Sequence, residues 1–193
     1  MDSHKLCFKL FLENPGAIHG EALVPVFHGW IQSRAMPEHL LIDVASYAHV
    51  HQGPGVLLIS HEANFGLDSA DGRTGLLYQR KQPFLGTTTF AERLSATFRY
   101  TLLAAAKLEG EGVFSPAPRF KTDAMEFRIA DRLHAPNTAE TFAGVKLELE
   151  AFFLKRLGGA SFHLQHHADA ERMFEVTVQT DGTRRVGDLL SRL

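Results

Sequence analysis

The sequence is organised around residues 53–81, GPGVLLISHEANFGLDSADGRTGLLYQRK. The run opens with a Gly-Pro-Gly turn and continues into four apolar residues, VLLI at 56–59, which predict a central strand covered on both faces. A second apolar run begins at Leu76, and the segment between the two runs is rich in Asp, Gly, Ser and Thr, which favour tight turns. We therefore predict a central β-hairpin over residues 56–80.

The composition is that of a globular protein. Of 193 residues, 45% are apolar and 22% are charged, which is typical of chains that bury a full hydrophobic core. The formal net charge is −2 and no block of like charges occurs, so a nucleic-acid partner is not expected. No apolar run approaches the ~20 residues of a membrane-spanning helix. We expect a soluble protein without membrane association.

The single cysteine and the N-terminal residues indicate the cellular compartment. The single cysteine, Cys7, excludes an intrachain disulfide and fits a reducing environment. The first apolar run, LCF at 6–8, is interrupted by Lys9, so we expect no signal-peptide core. A cytoplasmic location is therefore expected, with Cys7 as a small buried residue beside Phe8.

The order of predicted elements favours an α+β fold. It reads strand, helix, three strands, helix, then strand, helix, two strands, helix, and consecutive hairpin strands favour a largely antiparallel sheet. The three main helices are predicted at 20–34, 89–108 and within 137–158. We treat 1–193 as a single domain. If an internal boundary exists, it lies in the connector 113–124 and separates halves 1–112 and 113–193, which share a strand–helix–strand–strand order through duplication or coincidence.

Eleven histidines are the one unusual feature of the composition. His49 and His51 are candidate metal ligands, because two imidazoles one residue apart lie on one side of an extended loop. Zinc and iron sites need three or four such ligands converging on the ion. No HExxH or CxxC pattern completes the set, so Zn or Fe is considered but not favoured over histidines that are hydrogen-bonded or exposed.

The polar end of the predicted hairpin is the candidate binding site. We select His61, Glu62 and Arg73 as one polar cluster, since functional residues tend to lie on loops held by rigid elements. His61 lies about 20 Å from the Gly-Pro-Gly turn at ~3.3 Å per residue, so His49 and His51 form a separate cluster. Adjacent strand residues point to opposite faces, which allows only one of His61 and Glu62 into a given site unless a bulge intervenes. The alternative interpretation of these residues is turn chemistry and solvated charge.

No motif identifies a family or a reaction, and three hypotheses remain. The first is a small-molecule binding or sensing module of unknown ligand with its site beside the central hairpin. The second is a metal-assisted hydrolase or lyase that uses His49, His51, His61 and Glu62. The third is a structural or partner-binding protein without a pocket. The sequence has 15 Phe, several outside obvious helix stripes, and this surplus favours a homodimer.

Overall fold

A computed structural model describes residues 3–47, 49–50, 53–69, 72–86 and 89–193. The described residues form an antiparallel sheet of eight strands and four α-helices. The strands are β1 (Leu6–Leu12), β2 (Leu41–Ser46), β3 (Val56–Ser60), β4 (Ala63–Asp68), β5 (Gly75–Arg80), β6 (Phe120–Ile129), β7 (Phe162–His166) and β8 (Phe174–Thr180). The helices are α1 (Leu23–Ser33), α2 (Phe90–Glu109), α3 (Ala139–Arg156) and the short α4 (Val186–Leu190).

The strands lie in the order β2-β3-β4-β5-β1-β6-β8-β7, and each neighbouring pair is antiparallel. The first strand of the chain is therefore in the middle of the sheet, between β5 and β6. This arrangement confirms the predicted α+β fold with an antiparallel sheet and three main helices.

The predicted central hairpin is wrong in two respects. An additional strand separates its two arms, and β3 is next to the edge strand β2, with Leu57 and Ile59 only partly buried. β3 pairs with β2 and β4, whereas β5 pairs with β4 and β1. The sequence of β4, ANFGLD, contains the turn-forming residues Asn, Gly and Asp, which suggested a loop. In the sheet, Ala63, Phe65 and Leu67 face the core at the two-residue period of a strand. Gly66 leaves room for the Leu57 side chain, since a Cβ at Gly66 would lie 2.4 Å from the Leu57 Cδ2 atom.

The two halves of the chain place their strands in a related way. In the first half, the opening strand β1 pairs with the closing strand β5, and in the second half the opening strand β6 pairs with the closing strand β8. β1 and β6 pair with each other and join the halves. The first half adds the β2–β3 hairpin at its outer edge. β6 begins at Phe120, inside the segment predicted as a connector.

The core lies between the sheet and helices α2 and α3. Every residue of β1 is buried, and its even-numbered side chains, Leu6 to Leu12, belong to the main hydrophobic core. The ring of Phe8 lies 5.0 Å from that of Phe98 on α2 and 6.3 Å from that of Phe152 on α3. Cys7, Lys9 and Phe11 project from the opposite face, because strand residues alternate.

The helix boundaries agree with the sequence signals. α2 begins with the predicted capping box, in which Glu92 donates its backbone N–H to the Thr89 hydroxyl and accepts from the Thr89 backbone N–H. α1 begins at Leu23, and Gly20–Ala22 forms a short 3-10 turn before it. None of the helices among the described residues is long and apolar enough to cross a membrane.

Replacing Leu58 with Ala should lower the free energy of unfolding by about 2–5 kcal/mol, because this fully buried β3 side chain leaves a cavity when truncated. Chemical denaturation measures the change. The exposed Leu154 of α3 provides the matched control, and Leu154→Ala should change stability by less than about 0.5 kcal/mol. A loss below about 1 kcal/mol for Leu58→Ala would contradict the burial of this side chain in the core.

Candidate functional site

The structure divides the three predicted ligand-binding residues between two clefts. His61 and Glu62 lie in the turn between β3 and β4 and line one cleft together. Arg73 precedes β5 at the other end of β4 and lines a second cleft. The six residues of β4 separate the two positions by about 20 Å. The prediction of a single cluster is therefore wrong, because it placed both ends of an unrecognised strand in one turn.

His61 and Glu62 can share a cleft because they belong to a turn. The alternation of strand residues ends at Ser60, whose hydroxyl donates to the Ala63 carbonyl and accepts from the Ala63 N–H. This local pair closes the turn and presents both His61 and Glu62 to the same side.

The predicted metal ligands lie elsewhere. His49 is exposed, beyond the end of β2, and His51 lies outside the described residues. Tyr47 donates its N–H to the Gly55 carbonyl, so His49 and His61 are at opposite ends of β3. Within the described ranges, no group of three or more His, Cys, Asp or Glu residues is placed to hold a metal ion. Metal binding by His49 and His51 stays a prediction.

The first cleft, which we call the α2 cleft, has a volume of about 470 Å³. It lies between α2, the β3–β4 turn, the segment after β5 and the loop before β2. Its walls combine carboxylates, a guanidinium, a phenol and apolar side chains, contributed by Glu38, His61, Glu62, Arg80, Gln82, Pro83, Phe84, Leu85, Ala96 and Tyr100.

Glu38 is held in the α2 cleft by Tyr100. The Tyr100 hydroxyl donates a hydrogen bond to the Glu38 carboxylate, and the Arg99 guanidinium lies 4.0 Å from the same group. Glu38 has a φ of +60°, a left-handed conformation that costs a non-glycine residue about 1–2 kcal/mol. Such strain is concentrated at functional sites in proteins, and Glu38 lines the cleft.

Glu62 provides the second carboxylate. Its side chain accepts a hydrogen bond from the Leu40 N–H at 2.8 Å. Partial burial opposes the charge, but this hydrogen bond and nearby His39 and His61 outweigh it and hold the pKa of Glu62 below its ordinary value. Glu62 is therefore ionised at neutral pH.

Arg80 shapes the wall of the cleft. Its buried guanidinium donates to the Gln82 carbonyl at 2.6 Å and to the Pro83 carbonyl at 2.9 Å, and it stacks on the Phe84 ring at 4.0 Å. These contacts fix the segment after β5 and leave Leu85 98% exposed at the cleft mouth.

A buried histidine lies behind the α2 cleft. His39 hydrogen-bonds to the Tyr78 hydroxyl at 3.0 Å and to the Pro37 carbonyl at 2.9 Å. Its ring also contacts the rings of Phe65 and Tyr100. Burial lowers the pKa of His39 below its ordinary value, with a smaller contribution from Arg80 in the same direction. His39 is therefore a neutral hydrogen-bonding residue at pH 7.

The second cleft, which we call the β8 cleft, lies on the sheet face opposite α2 and α3 and has a volume of about 390 Å³. Its walls are polar and comprise Arg73, Asn137, Gln165, His167, Asp169, Arg172, Glu175, Thr177 and Gln179. Arg73 is 46% exposed here, and its guanidinium stacks on the Phe11 ring at 4.4 Å.

An ion network across β4, β1, β6 and β8 lies under the β8 cleft. The buried Lys9 ammonium is 2.6 Å from the Asp68 carboxylate. Arg128 contacts Asp68 at 3.4 Å and Glu175 at 2.8 Å, and it also hydrogen-bonds Glu126. Burial works against the charge of Arg128, but the three carboxylates outweigh it and raise the pKa of the guanidinium.

Arg73 completes this network by donating to the buried Glu126. The six charged groups, which we call the sheet ion network, comprise three cations and three carboxylates: Lys9, Arg73, Arg128, Asp68, Glu126 and Glu175.

Several residues of these sites were not found from the sequence. Glu38 and His39 are adjacent in the chain but lie 62 and 61 residues before Tyr100 and carry no motif, so only folding brings them to Tyr100. Glu126 and Arg128 had a usable signal, because they alternate with buried Met125, Phe127 and Ile129. That alternation shows charged residues on the second face of a central strand.

No protein-family model, curated protein or solved structure matches this chain. The function must therefore be argued from the two clefts themselves.

The buried His39 should make stability depend on pH. Its folded-state pKa is below the value of the unfolded chain, so the unfolded chain binds more protons as the pH falls below about 6.5. The stability from neutral His39 is present above that value and is lost on acidification. Between pH 7.5 and pH 5, the wild type should lose more thermal stability than His39→Gln, as measured by circular dichroism.

The exposed His28 of α1 provides the control. His28→Gln should show the same pH-dependent loss as the wild type. An equal loss in the wild type and His39→Gln would show that His39 is not the responsible group.

Proposed function

We propose that the protein is a small-molecule binding or sensing module whose ligand occupies the α2 cleft. The observation that carries the proposal is the convergence of two carboxylates, Glu38 and Glu62, on one cleft that also has an apolar wall. The cleft volume of about 470 Å³ lies within the range of small-ligand sites. His61 supplies a further polar group at the rim.

The charges of the cleft favour a ligand with a basic group. Glu62 is ionised at neutral pH, and Glu38 accepts from Tyr100 with oxygen capacity remaining. The Arg80 guanidinium donates to backbone carbonyls of the wall, so its hydrogen bonds are directed to the protein. A small amine with an apolar body matches these groups.

Phenyl compounds that differ in one polar group test this proposal. In ¹H–¹⁵N NMR titrations, 2-phenylethylammonium should bind more tightly than 2-phenylethanol, and 3-phenylpropanoate should bind least, because carboxylates repel an anion. Glu38→Gln and Glu62→Gln should each weaken binding of the amine by about five- to tenfold.

Glu148→Gln on α3, outside the cleft, is the matched control and should bind the amine as the wild type does. Glutamine at position 62 keeps an oxygen for the Leu40 N–H, so the fold should persist. The proposal would be overturned if the propanoate bound more tightly than the amine. It would also be overturned if both glutamine variants bound the amine as tightly as the wild type does.

The metal-assisted hydrolase or lyase remains the enzymatic alternative. It requires His49 and His61 in one site, and these residues lie at opposite ends of β3. This separation favours binding over the metal-assisted reaction. The third hypothesis is a partner-binding protein without a pocket. It is less favoured because Glu38, whose backbone has a strained left-handed conformation, lines the α2 cleft.

We also propose a homodimer that forms through the edge strand β2. Leu40, immediately before this strand, and Ile42 within it are 65% and 56% exposed. An exposed apolar edge strand is a template for pairing with another chain. If two copies pair through β2 about a two-fold axis, the β2 edge of each copy is covered by the other.

Light scattering at micromolar concentration should therefore give about twice the 21.4 kDa monomer mass. Ile42→Lys should shift the protein toward the monomer, because an edge lysine blocks strand pairing. Leu154→Lys, at an exposed position of α3, should remain dimeric. A wild type that is monomeric would refute the dimer.

A cytoplasmic location is part of the proposal. It is supported by the single cysteine, which fits a reducing compartment. Burial raises the pKa of the Cys7 thiol to about 12, so this cysteine is a packing residue and not a nucleophile.

A further inference from the structure

The β8 cleft offers hydrogen bonds from uncharged side chains. Thr177 and Gln179 of β8 line it, and neither side chain has a hydrogen-bond partner among the described residues. Gln165 on the neighbouring β7 is bonded through its amide nitrogen to His167, which leaves its amide oxygen available. Each of these groups can accept a hydrogen bond, and Thr177 and Gln179 can also donate one.

The acidic and basic side chains that line the cleft are two cations and two carboxylates, Arg73, Arg172, Asp169 and Glu175. Arg73 and Glu175 belong to the sheet ion network beneath the cleft. The Asp169 carboxylate accepts the Glu171 N–H at 2.9 Å, and Arg172 is also not without a partner.

Lys9, Arg128 and Arg73 each contact a carboxylate of the sheet ion network, which has equal numbers of positive and negative groups. Binding a charged ligand through Glu126 or Arg128 would break buried ion pairs, and removing one partner of such a pair is costly. The lining and the network beneath it each have equal numbers of positive and negative groups, which favours a neutral ligand over an anion or a cation.

We propose that the β8 cleft is a second binding site, for a neutral polyhydroxylated molecule such as a sugar or a polyol. Hydroxyl groups both donate and accept, and they match the amide and hydroxyl side chains of Gln165, Thr177 and Gln179. The Arg73 side chain is 46% exposed, and the N–H groups at the edge of its guanidinium that do not bond Glu126 add donors at one end of the cleft.

The size of the cleft agrees with such a ligand. Its volume of about 390 Å³ exceeds that of about ten water molecules, at roughly 30 Å³ each in the liquid. A monosaccharide and bridging waters can fill this space. The β8 cleft is on the sheet face opposite the α2 cleft, so the inference does not depend on the proposed amine site.

NMR titrations with D-glucose, maltose and myo-inositol test the inference, with inorganic phosphate and glycine as charged comparators. At least one of the three polyols should give saturable shifts in the β8 backbone amides and in the side-chain NH₂ signals of Gln165 and Gln179. Phosphate and glycine should not saturate these signals. Thr177→Val and Gln179→Leu should each weaken polyol binding by about fivefold and leave the melting temperature unchanged.

Gln32→Leu, at an exposed position of α1, is the matched control and should bind the polyol as the wild type does. Titration of the Thr177 and Gln179 variants with 2-phenylethylammonium should reproduce wild-type behaviour, which separates the two sites. Saturation by phosphate or glycine without a polyol response, no response to any polyol, or polyol binding that both variants retain would each overturn the inference.

Discussion

The burial of β1 on both faces is the constraint on which the rest of the structure depends. β1 is the first strand of the chain and lies in the middle of the sheet. Helices must cover one of its faces, and on the other face the buried Lys9 ammonium needs a partner of opposite charge. The Phe8 face meets this requirement by packing against rings from α2 and α3. The Lys9 face meets it through the ion pair with Asp68. The two faces have opposite chemistry, so β1 has only one orientation compatible with the fold.

The sheet ion network also determines which residues pair. Glu126 lies opposite Lys9 and Thr177, whereas Arg128 lies opposite Cys7 and Glu175. A one-residue shift of β6 would move Glu126 and Arg128 into the aromatic core and would expose Phe127. Buried ion pairs add little net stability because desolvation offsets their attraction. Their contribution here is specificity of register, since any other pairing leaves a buried charge without a partner.

The same architecture separates the two clefts. The α2 cleft forms where the β3–β4 turn and the segment after β5 approach α2, and Glu38 and Glu62 both line it. The β8 cleft forms on the other face, beside the strands that carry the ion network. The ligands that we propose differ accordingly, a small amine with an apolar body for the first cleft and a polyhydroxylated molecule for the second. A module with two chemically distinct clefts could respond to two ligands, and the sheet between them is a shared rigid element.

The sequence by itself determined the local elements, because their signals act over a few residues. Three such signals are the capping box at Thr89 and Glu92, the apolar stripe of α1 and the apolar run before Ser60. Signals of this kind were sufficient to predict the α+β fold and the main helices. β4 was missed because Asn64, Gly66 and Asp68 resemble a turn, and only pairing with β3 and β5 makes them the outer face of a strand. Only the tertiary structure decided that His61 and Glu62 share a cleft with Glu38 and Tyr100 while Arg73 joins Glu126. These contacts join residues far apart in the chain, and their geometry depends on strand order, which no local pattern encodes.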